Sequence, residues 1–482
     1  MKSDQTPINP PFRGLVWLAV VAVAGAAIAL LYPDSYQQDG GHHYLFARWA
    51  WTHQTNFVSV WGRPLFTFVY AFPAISGYTA TRLFTVALCV TTAWQTWQLA
   101  RELKFERAEL AIPFLFLQPS YLLLCADAMT EPIFALIFII ALRLHLRGRV
   151  LLGMIVASLM ILARPEGFFL GVLWGVWVLL DRRNGRAWWR RIPSTLLLAS
   201  GMAAWWVAAL ILSGDPLWIK HNWPPDWQLG GATYGRGVIW WYAQSLPLIV
   251  GLVLLVPFVA GFVRLFKQRR FGTGISAFLT LFILHSLMYT RGAFGSAGYP
   301  RYFVCVAPAI ALITLAGWNE IEERLEPLSR FAVKATLIVV LALSGLFSLF
   351  YVDGWGYSRD AWAVKEMYQW FRANERPVTR LIWCQAYMDI LFDRDPWEKP
   401  TFSADTAHNI ALLRESPKGT LVFWDGETGP AWYGLRPADF ETAGYIRLRS
   451  QSYQLDGLFF RDSLQGHGGR RTQEMHLFYK AQ

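Results

Sequence analysis

The sequence predicts a polytopic α-helical membrane protein followed by a C-terminal soluble α/β domain, and three observations carry that reading. Of its 482 residues 54% are hydrophobic and only 16% charged, against roughly 25% charged in soluble domains. Apolar runs of about 17–25 residues, the length a helix needs to cross a hydrocarbon core, recur between residues 15 and 352. After residue 352 the composition turns ordinary, with charges, Pro, Gly and short apolar runs. The predicted domains are therefore 1–352, transmembrane, and 353–482, soluble and large enough to bury its own core.

Residues 1–14 are short and polar. The run 15–32 is longer than a signal-peptide core and lacks a convincing cleavage site, so it reads as an uncleaved first span. Residues 33–77 form a long loop, with Asp34 after Pro33 as a turn residue. Within it 43–53 mixes Tyr, Leu, Phe, Trp and Arg, as in a helix lying along the interface. The stretch 64–75 is too short and Pro-broken to span and reads as re-entrant or interfacial. Further spans read at 78–100, 110–126, 130–146, 150–165, 167–181, 193–213, 238–265, 274–290, 302–318 and 333–352, about eleven in all. Basic clusters occupy alternate loops: Arg101/Lys104/Arg107, Arg143/Arg147/Arg149, Arg182/Arg183/Arg186/Arg190/Arg191, Arg264/Lys267/Arg269/Arg270 and Arg324/Arg330/Lys334. The opposite loops hold mostly isolated cations: Arg48, Arg63, Arg164, Lys220, Arg236, Arg291 and Arg301. The positive-inside rule then puts the N-terminus in the cytoplasm and the C-terminal domain outside, periplasmic or otherwise extracytoplasmic, in a multi-pass inner (plasma) membrane protein. That domain opens on an amphipathic helix at 360–374, carrying Trp362, Met367, Trp370 and Phe371. Strands follow at 380–384, 420–424, 445–449 and 475–479, punctuated by turn-formers such as Pro417-Lys418-Gly419.

A formal charge of +11 suggests nucleic acid only if the cations face one surface. Here they flank apolar segments, so no nucleic-acid partner is expected. Cys89, Cys125, Cys305 and Cys384 show no paired spacing, so neither a disulfide framework nor a zinc site is read.

Chemistry is sought in the polar stretch after the first span, Gln37-Gln38-Asp39-Gly40-Gly41-His42-His43-Tyr44. A carboxylate followed by two glycines lets the backbone approach a ligand closely. Asp127, Glu131, Arg164 and Glu166 sit in very short connections on the same outer side as Asp39. Ionisable groups near membrane depth usually face a protein interior or a wet cavity; a structural ion pair of Arg164 with Glu131 is the other reading. Gly298-Tyr299-Pro300-Arg301-Tyr302 opens a further span there, and its arginine suits either a phosphate or an interfacial anchor. Lys220 and His221, in the loop 214–237, are weaker sources of cations. His285, alone on an apolar run, reads as a satisfied core residue rather than a ligand.

Taken together, Asp39 after the first span, Thr130-Glu131-Pro132, Ala163-Arg164-Pro165-Glu166-Gly167, Gly214-Asp215-Pro216-Leu217 and Arg301-Tyr302 with Pro308 resemble the GT-C superfamily of polyprenyl-phosphate-sugar glycosyltransferases. The likeness covers most of residues 15–318. It is greatest to the bacterial mannosyltransferase-like group that includes protein O-mannosyltransferases and the lipid A aminoarabinose transferase. Many members carry two adjacent carboxylates where this chain has only Asp39. The resemblance implies sugar transfer from a polyprenyl phosphate to an acceptor hydroxyl (glycan, lipid or protein) on the outer face, with inversion at the sugar carbon. Asp39 is the expected general base. Arg301, with Arg164, Lys220 and His221 in reserve, is expected to hold the donor phosphate. Glu131, Glu166, His42, His43 and Tyr302 are expected to orient these groups or bind sugar and acceptor. No cofactor is expected to be required: a phosphate leaving group can be met by protein cations, and a divalent metal is optional. The alternatives are an O-antigen ligase-type transferase using a diphosphate-linked donor and a lipid or sugar transporter. The latter calls for internal repeats and mid-span charges, which the chain lacks.

Overall fold

The structure is a computed structural model that describes residues 11–31, 38–181, 188–224, 227, 235–270, 272–327, 329–354, 359–374, 376–384, 386–398, 402–454 and 472–481. The predicted turn at Asp34, the basic residues Arg182, Arg183 and Arg186, and residues 225–226 and 228–234 of the loop 214–237 lie outside them. Five helices among the described residues are long and apolar enough to cross a membrane by length and composition: Phe12–Leu31, Trp188–Ser213, Gly272–Arg291, Pro300–Leu325 and Arg330–Tyr351. Val150–Ala163 and Glu166–Leu180 are apolar but shorter. Five of the predicted spans thus form long apolar helices among the described residues. Some of the other predicted spans are helical only in pieces, for local reasons. The run 110–126 divides into Ala111–Phe116 and Pro119–Leu124, because Pro119 offers no N–H and drives Gln118 into extended backbone (ψ 122). The run 238–265 breaks into Trp241–Gln244, Leu246–Ile249 and Leu255–Lys267, with Gly251 at φ +105 between the last two.

The helix Pro300–Leu325 is the axis of the bundle, almost wholly buried. Leu255–Lys267 crosses it at two glycines. A Cβ at Gly261 would run into the carbonyl oxygen of Ile313, and one at Gly317 into that of Pro257. Backbones meet there because no side chain intervenes, the small-residue packing that holds helices together where lipid removes the hydrophobic drive.

Two shorter helices follow the first span. Pro64–Ile75 starts on its proline and buries Phe66, Tyr70 and Ala74 while exposing Phe68 and Phe72. The predicted interfacial helix at 43–53 instead spans Gln38–Arg48, so Asp39 lies in a first helical turn and not in a loop. The glycines after it serve close packing. A Cβ at Gly40 would sit 2.5 Å from Asp127 Oδ1, and one at Gly41 3.3 Å from Ile390 Cδ1.

The C-terminal sheet has order β1-β2-β4-β3, with β1 (Arg380–Trp383), β2 (Thr420–Asp425), β3 (Tyr445–Gln454) and β4 (Thr472–Lys480). β1 and β2 pair in parallel, in register Trp383↔Phe423; β2–β4 and β3–β4 are antiparallel. Alternation along the strands puts Ile382, Val422 and Phe478 in one cluster with Leu413 and Phe440. Leu381, Phe423 and Leu477 join the other cluster, with Met367 and Phe371 of the helix Arg359–Ala373. That cluster is continuous with the core of the membrane bundle.

Candidate active site

Each site residue stands at a helix end for a local reason. Asp39, Glu131 and Glu166 occupy first turns, of Gln38–Arg48, Thr130–Leu146 and Glu166–Leu180, where the helix dipole favours a carboxylate. Arg164 precedes Pro165 and is extended (φ −159, ψ 147), as a residue before proline prefers. Arg301 lies in the tight turn Pro300–Val306 that leads into Ala307–Leu325.

The fold brings these ends together. Arg301 Nη2 donates to Asp39 Oδ2 at 2.6 Å, and its Nε lies 3.7 Å from Glu131 Oε1. Arg164 approaches Glu131 Oε1 with Nη1 and Glu166 Oε1 with Nη2, both at 2.8 Å, and Nη1 also donates to Thr130 Oγ1 at 3.1 Å. Asp39, Arg301, Glu131, Arg164 and Glu166 thus form one chain of ion pairs. Their exposure differs in a way that assigns roles. The Asp39 side chain is 40% accessible while that of Glu131 is 0%. Asp39 is the carboxylate of this chain that a substrate can best reach.

His42 and His43 stand one turn along the same helix from Asp39. His43 is buried and stacks on Trp61, with centroids 4.7 Å apart, and His42 meets the same indole edge-on at 5.3 Å. Burial raises the pKa of Asp39, but the charge and hydrogen bond of Arg301, then the two imidazoles, outweigh it and hold the carboxyl below its ordinary 3.8. Burial pushes His42 down to about 4 against the pull of Asp39, and His43 well below 6.5. The sign follows directly: a depressed folded-state pKa makes protonation favour unfolding. The contribution of His42 to stability is complete above pH 6.5 and is lost as pH falls towards 4. Thermal midpoints measured from pH 7 to 4.5 should therefore fall less steeply for His42→Asn than for the parent; parallel slopes would show that His42 contributes nothing to this titration.

Tyr302 is a buried support. Its ring lies 5.4 Å from the Arg164 guanidinium and stacks on His285 at 4.7 Å, and its hydroxyl accepts from the Ala297 N–H. His285 is buried as expected, but neither ring nitrogen has a hydrogen bond among the described residues, and Nε2 faces Glu166 Oε1 at 3.8 Å. Lys220 and His221 lie elsewhere. Both are exposed on the short helix Trp218–His221, where His221 pairs with Asp215 at 2.8 Å. Lys220 lines a separate cavity with Trp206 and Trp223.

Arg63 belongs to the site although its sequence context marks it only as an isolated outer-side cation. It feels the charges of Arg164, Glu166, Glu131 and Asp39. Its backbone is left-handed at φ +62, a conformation that costs a side-chain-bearing residue energy and concentrates at functional sites. Its guanidinium lies 4.2 Å from the ring of Trp227, while its buried Nε donates to no described group. Arginine before proline in Trp61-Gly62-Arg63-Pro64 was the only sequence signal. Among the described residues no group of three or more His, Cys, Asp or Glu is arranged to hold a metal ion.

No family model matches the chain, and no curated protein matches it. Solved structures do. The crystal structure of ArnT from Cupriavidus metallidurans in the apo state superposes with a TM-score of 0.59 at 12% identity, covering 96% of this chain and 98% of that one. ArnT from the same organism bound to undecaprenyl phosphate gives 0.62 at 13% identity, covering 96% and 97%. The likeness runs through both the membrane bundle and the C-terminal sheet domain, and the chain shares the fold of these two ArnT structures.

Proposed function

We propose that the protein is a membrane glycosyltransferase that moves a sugar from a polyprenyl phosphate to an acceptor hydroxyl at the outer face of the membrane. The observation that carries this reading is the 2.6 Å pair of an accessible carboxylate, Asp39, with a buried guanidinium, Arg301. It sits at helix ends in a fold shared with a protein solved with undecaprenyl phosphate bound.

In the reaction, the acceptor oxygen attacks the anomeric carbon while the bond from that carbon to the lipid phosphate breaks. The acceptor proton passes to Asp39, and the electron pair leaves with the phosphate oxygen. One displacement inverts the sugar carbon. In the resting site the carboxylate of Asp39 is held by Arg301 and is a weak base. A donor phosphate competes for that guanidinium and, by drawing it away, raises the basicity of Asp39 as the substrate arrives. Charge building on the bridging oxygen is met by Arg301 and Arg63, an effect larger in the transition state than in the ground state. Arg164 is committed to Glu131 and Glu166 and keeps the helix ends in place. Lys220 and His221, being remote from Asp39 in sequence and exposed, suit an outer role in guiding acceptor or lipid headgroup. We assign the charge stabilisation to these protein cations; no cofactor is required, and a divalent metal stays optional.

Purified protein incubated with defined polyprenyl-phosphate sugars tests the activity. Arg301→Ala is expected to weaken polyprenyl-phosphate binding and to lower turnover by on the order of 10²-fold, the usual effect of removing one stabilising donor. An effect on protein abundance alone would assign Arg301 to structure. Activity only with a diphosphate-linked donor would move the protein to the ligase-type class.

A further inference from the structure

The helix that carries Asp39 is a poor helix by itself. It has 11 residues, short of the ~12–15 at which even good sequences become marginal in water. Gly40 and Gly41 each cost it about 1 kcal/mol relative to alanine. Its position must be imposed from outside, and a base has to lie within about 2.6–3.2 Å of the proton it takes.

One side is supplied by the membrane bundle, where Asp127 closes on Gly40 while accepting from the Tyr78 hydroxyl and the Ala128 N–H. The other side is supplied by one stretch of the C-terminal domain, running from the end of β1 through the helix Tyr387–Phe392 to Trp397. Trp383 lies 5.3 Å from His42, and Ala386 and Ile390 close on Gly41. Arg48, the last residue of the helix, meets both carboxylate oxygens of Asp393 at 3.3 Å. His53 Nε2 meets Asp395 Oδ2 at 2.7 Å, with the Asp395 side chain only 2% exposed. Trp397 packs on Phe46 and on His53. Contacts thus fall at the start, middle and end of the helix and just beyond it. The Arg48–Asp393 pair is exposed and contributes little energy. The enclosed His53–Asp395 pair is the stronger constraint.

We propose that this segment of the C-terminal domain is a positioning element of the transferase site, with Asp395 as the positioning residue that, through His53, sets where Asp39 stands. The proposal rests on the reading of Asp39 as the base. It gives the soluble domain a role in turnover itself, apart from any recognition of acceptor.

The test uses full-length protein. Asp395→Ala is expected to lower sugar transfer about 10²-fold, the cost of a misplacement near 1 Å, with polyprenyl-phosphate affinity unchanged and the thermal midpoint lowered only slightly, since the imidazole left behind is 27% exposed to water. Asp395→Asn, which keeps an acceptor for the imidazole N–H, should recover most of the turnover. His53→Ala should match Asp395→Ala, and the double variant should be no worse than either. Full turnover in Asp395→Ala, or a loss shared equally by binding and thermal midpoint, would overturn the proposal. A second readout separates it from the role of Asp39. Spin labels at Thr52→Cys and Lys418→Cys report the distance between the two parts, the four native cysteines being buried. Asp395→Ala should broaden that distance distribution; an unchanged distribution overturns the positioning role whatever Asp39 does. A broadened distribution together with full turnover in Asp39→Asn overturns only the reading of Asp39 as base.

Discussion

Asp39→Asn is expected to lower sugar transfer by 10³-fold or more, towards the ~10⁴ upper range for loss of a general base, while leaving the fold and donor binding in place. Asparagine has the shape of aspartate and keeps an oxygen that can accept from Arg301 Nη2, now 2.6 Å from Asp39. It cannot take a proton from the acceptor. The substitution also removes the carboxylate that competes with a donor phosphate for Arg301, so polyprenyl-phosphate affinity should stay the same or rise. That split distinguishes a base from a structural anion, whose loss would weaken folding and binding together. Transfer of labelled sugar by purified protein, set beside equilibrium binding of polyprenyl phosphate, measures both. Turnover at the parent level removes Asp39 from the mechanism.

Arg164→Leu is expected to cost about 3–5 kcal/mol of stability, the range for stripping one partner from a buried ion pair. Glu131 is fully buried and the Glu166 side chain 9% exposed, and Arg164 touches both at 2.8 Å. Without the guanidinium the two carboxylates share a desolvated site in which Arg301 Nε, 3.7 Å from Glu131 Oε1, stands too far away to take its place. The remedy is as informative as the injury: adding Glu166→Gln to Arg164→Leu should recover part of the loss by removing one of the stranded charges. Arg164→Lys should restore less than the charge alone suggests, because an ammonium cannot present the planar fork that reaches two carboxylates and Thr130 at once. Thermal unfolding in detergent reads all three. An Arg164→Leu protein as stable as the parent would mean that water reaches this cluster.

The cluster around Arg164 marks what could be read in advance. Thr130-Glu131-Pro132 and Arg164-Pro165-Glu166 announce helix ends, because a proline and its neighbour have few backbone options. The same local logic located the four strands within a few residues of where they form. It failed where local preference and tertiary environment disagree. Gly40-Gly41 reads as a tight loop, yet both glycines are helical, in places where a Cβ would come within 2.5 Å of Asp127 Oδ1 and 3.3 Å of Ile390 Cδ1. Lys220 and His221 have the right chemistry on the right side of the sequence pattern, but their short helix turns them to the surface with Asp215. Arg63 has no motif of its own; only its left-handed backbone and the charges around it reveal a site residue.

By itself, then, the order of residues determined the membrane class, the places of most helices and strands, and which polar groups lie at helix ends, since these depend on hydrophobic run length and on neighbours in the chain. Only the folded structure decided that Asp39 and Arg301, 262 positions apart, meet, and that the C-terminal domain closes over the same helix. Such pairings are settled by how helices cross and which backbones can touch, and glycine contacts such as Gly261 with Gly317 set those crossings without any local pattern that points to them.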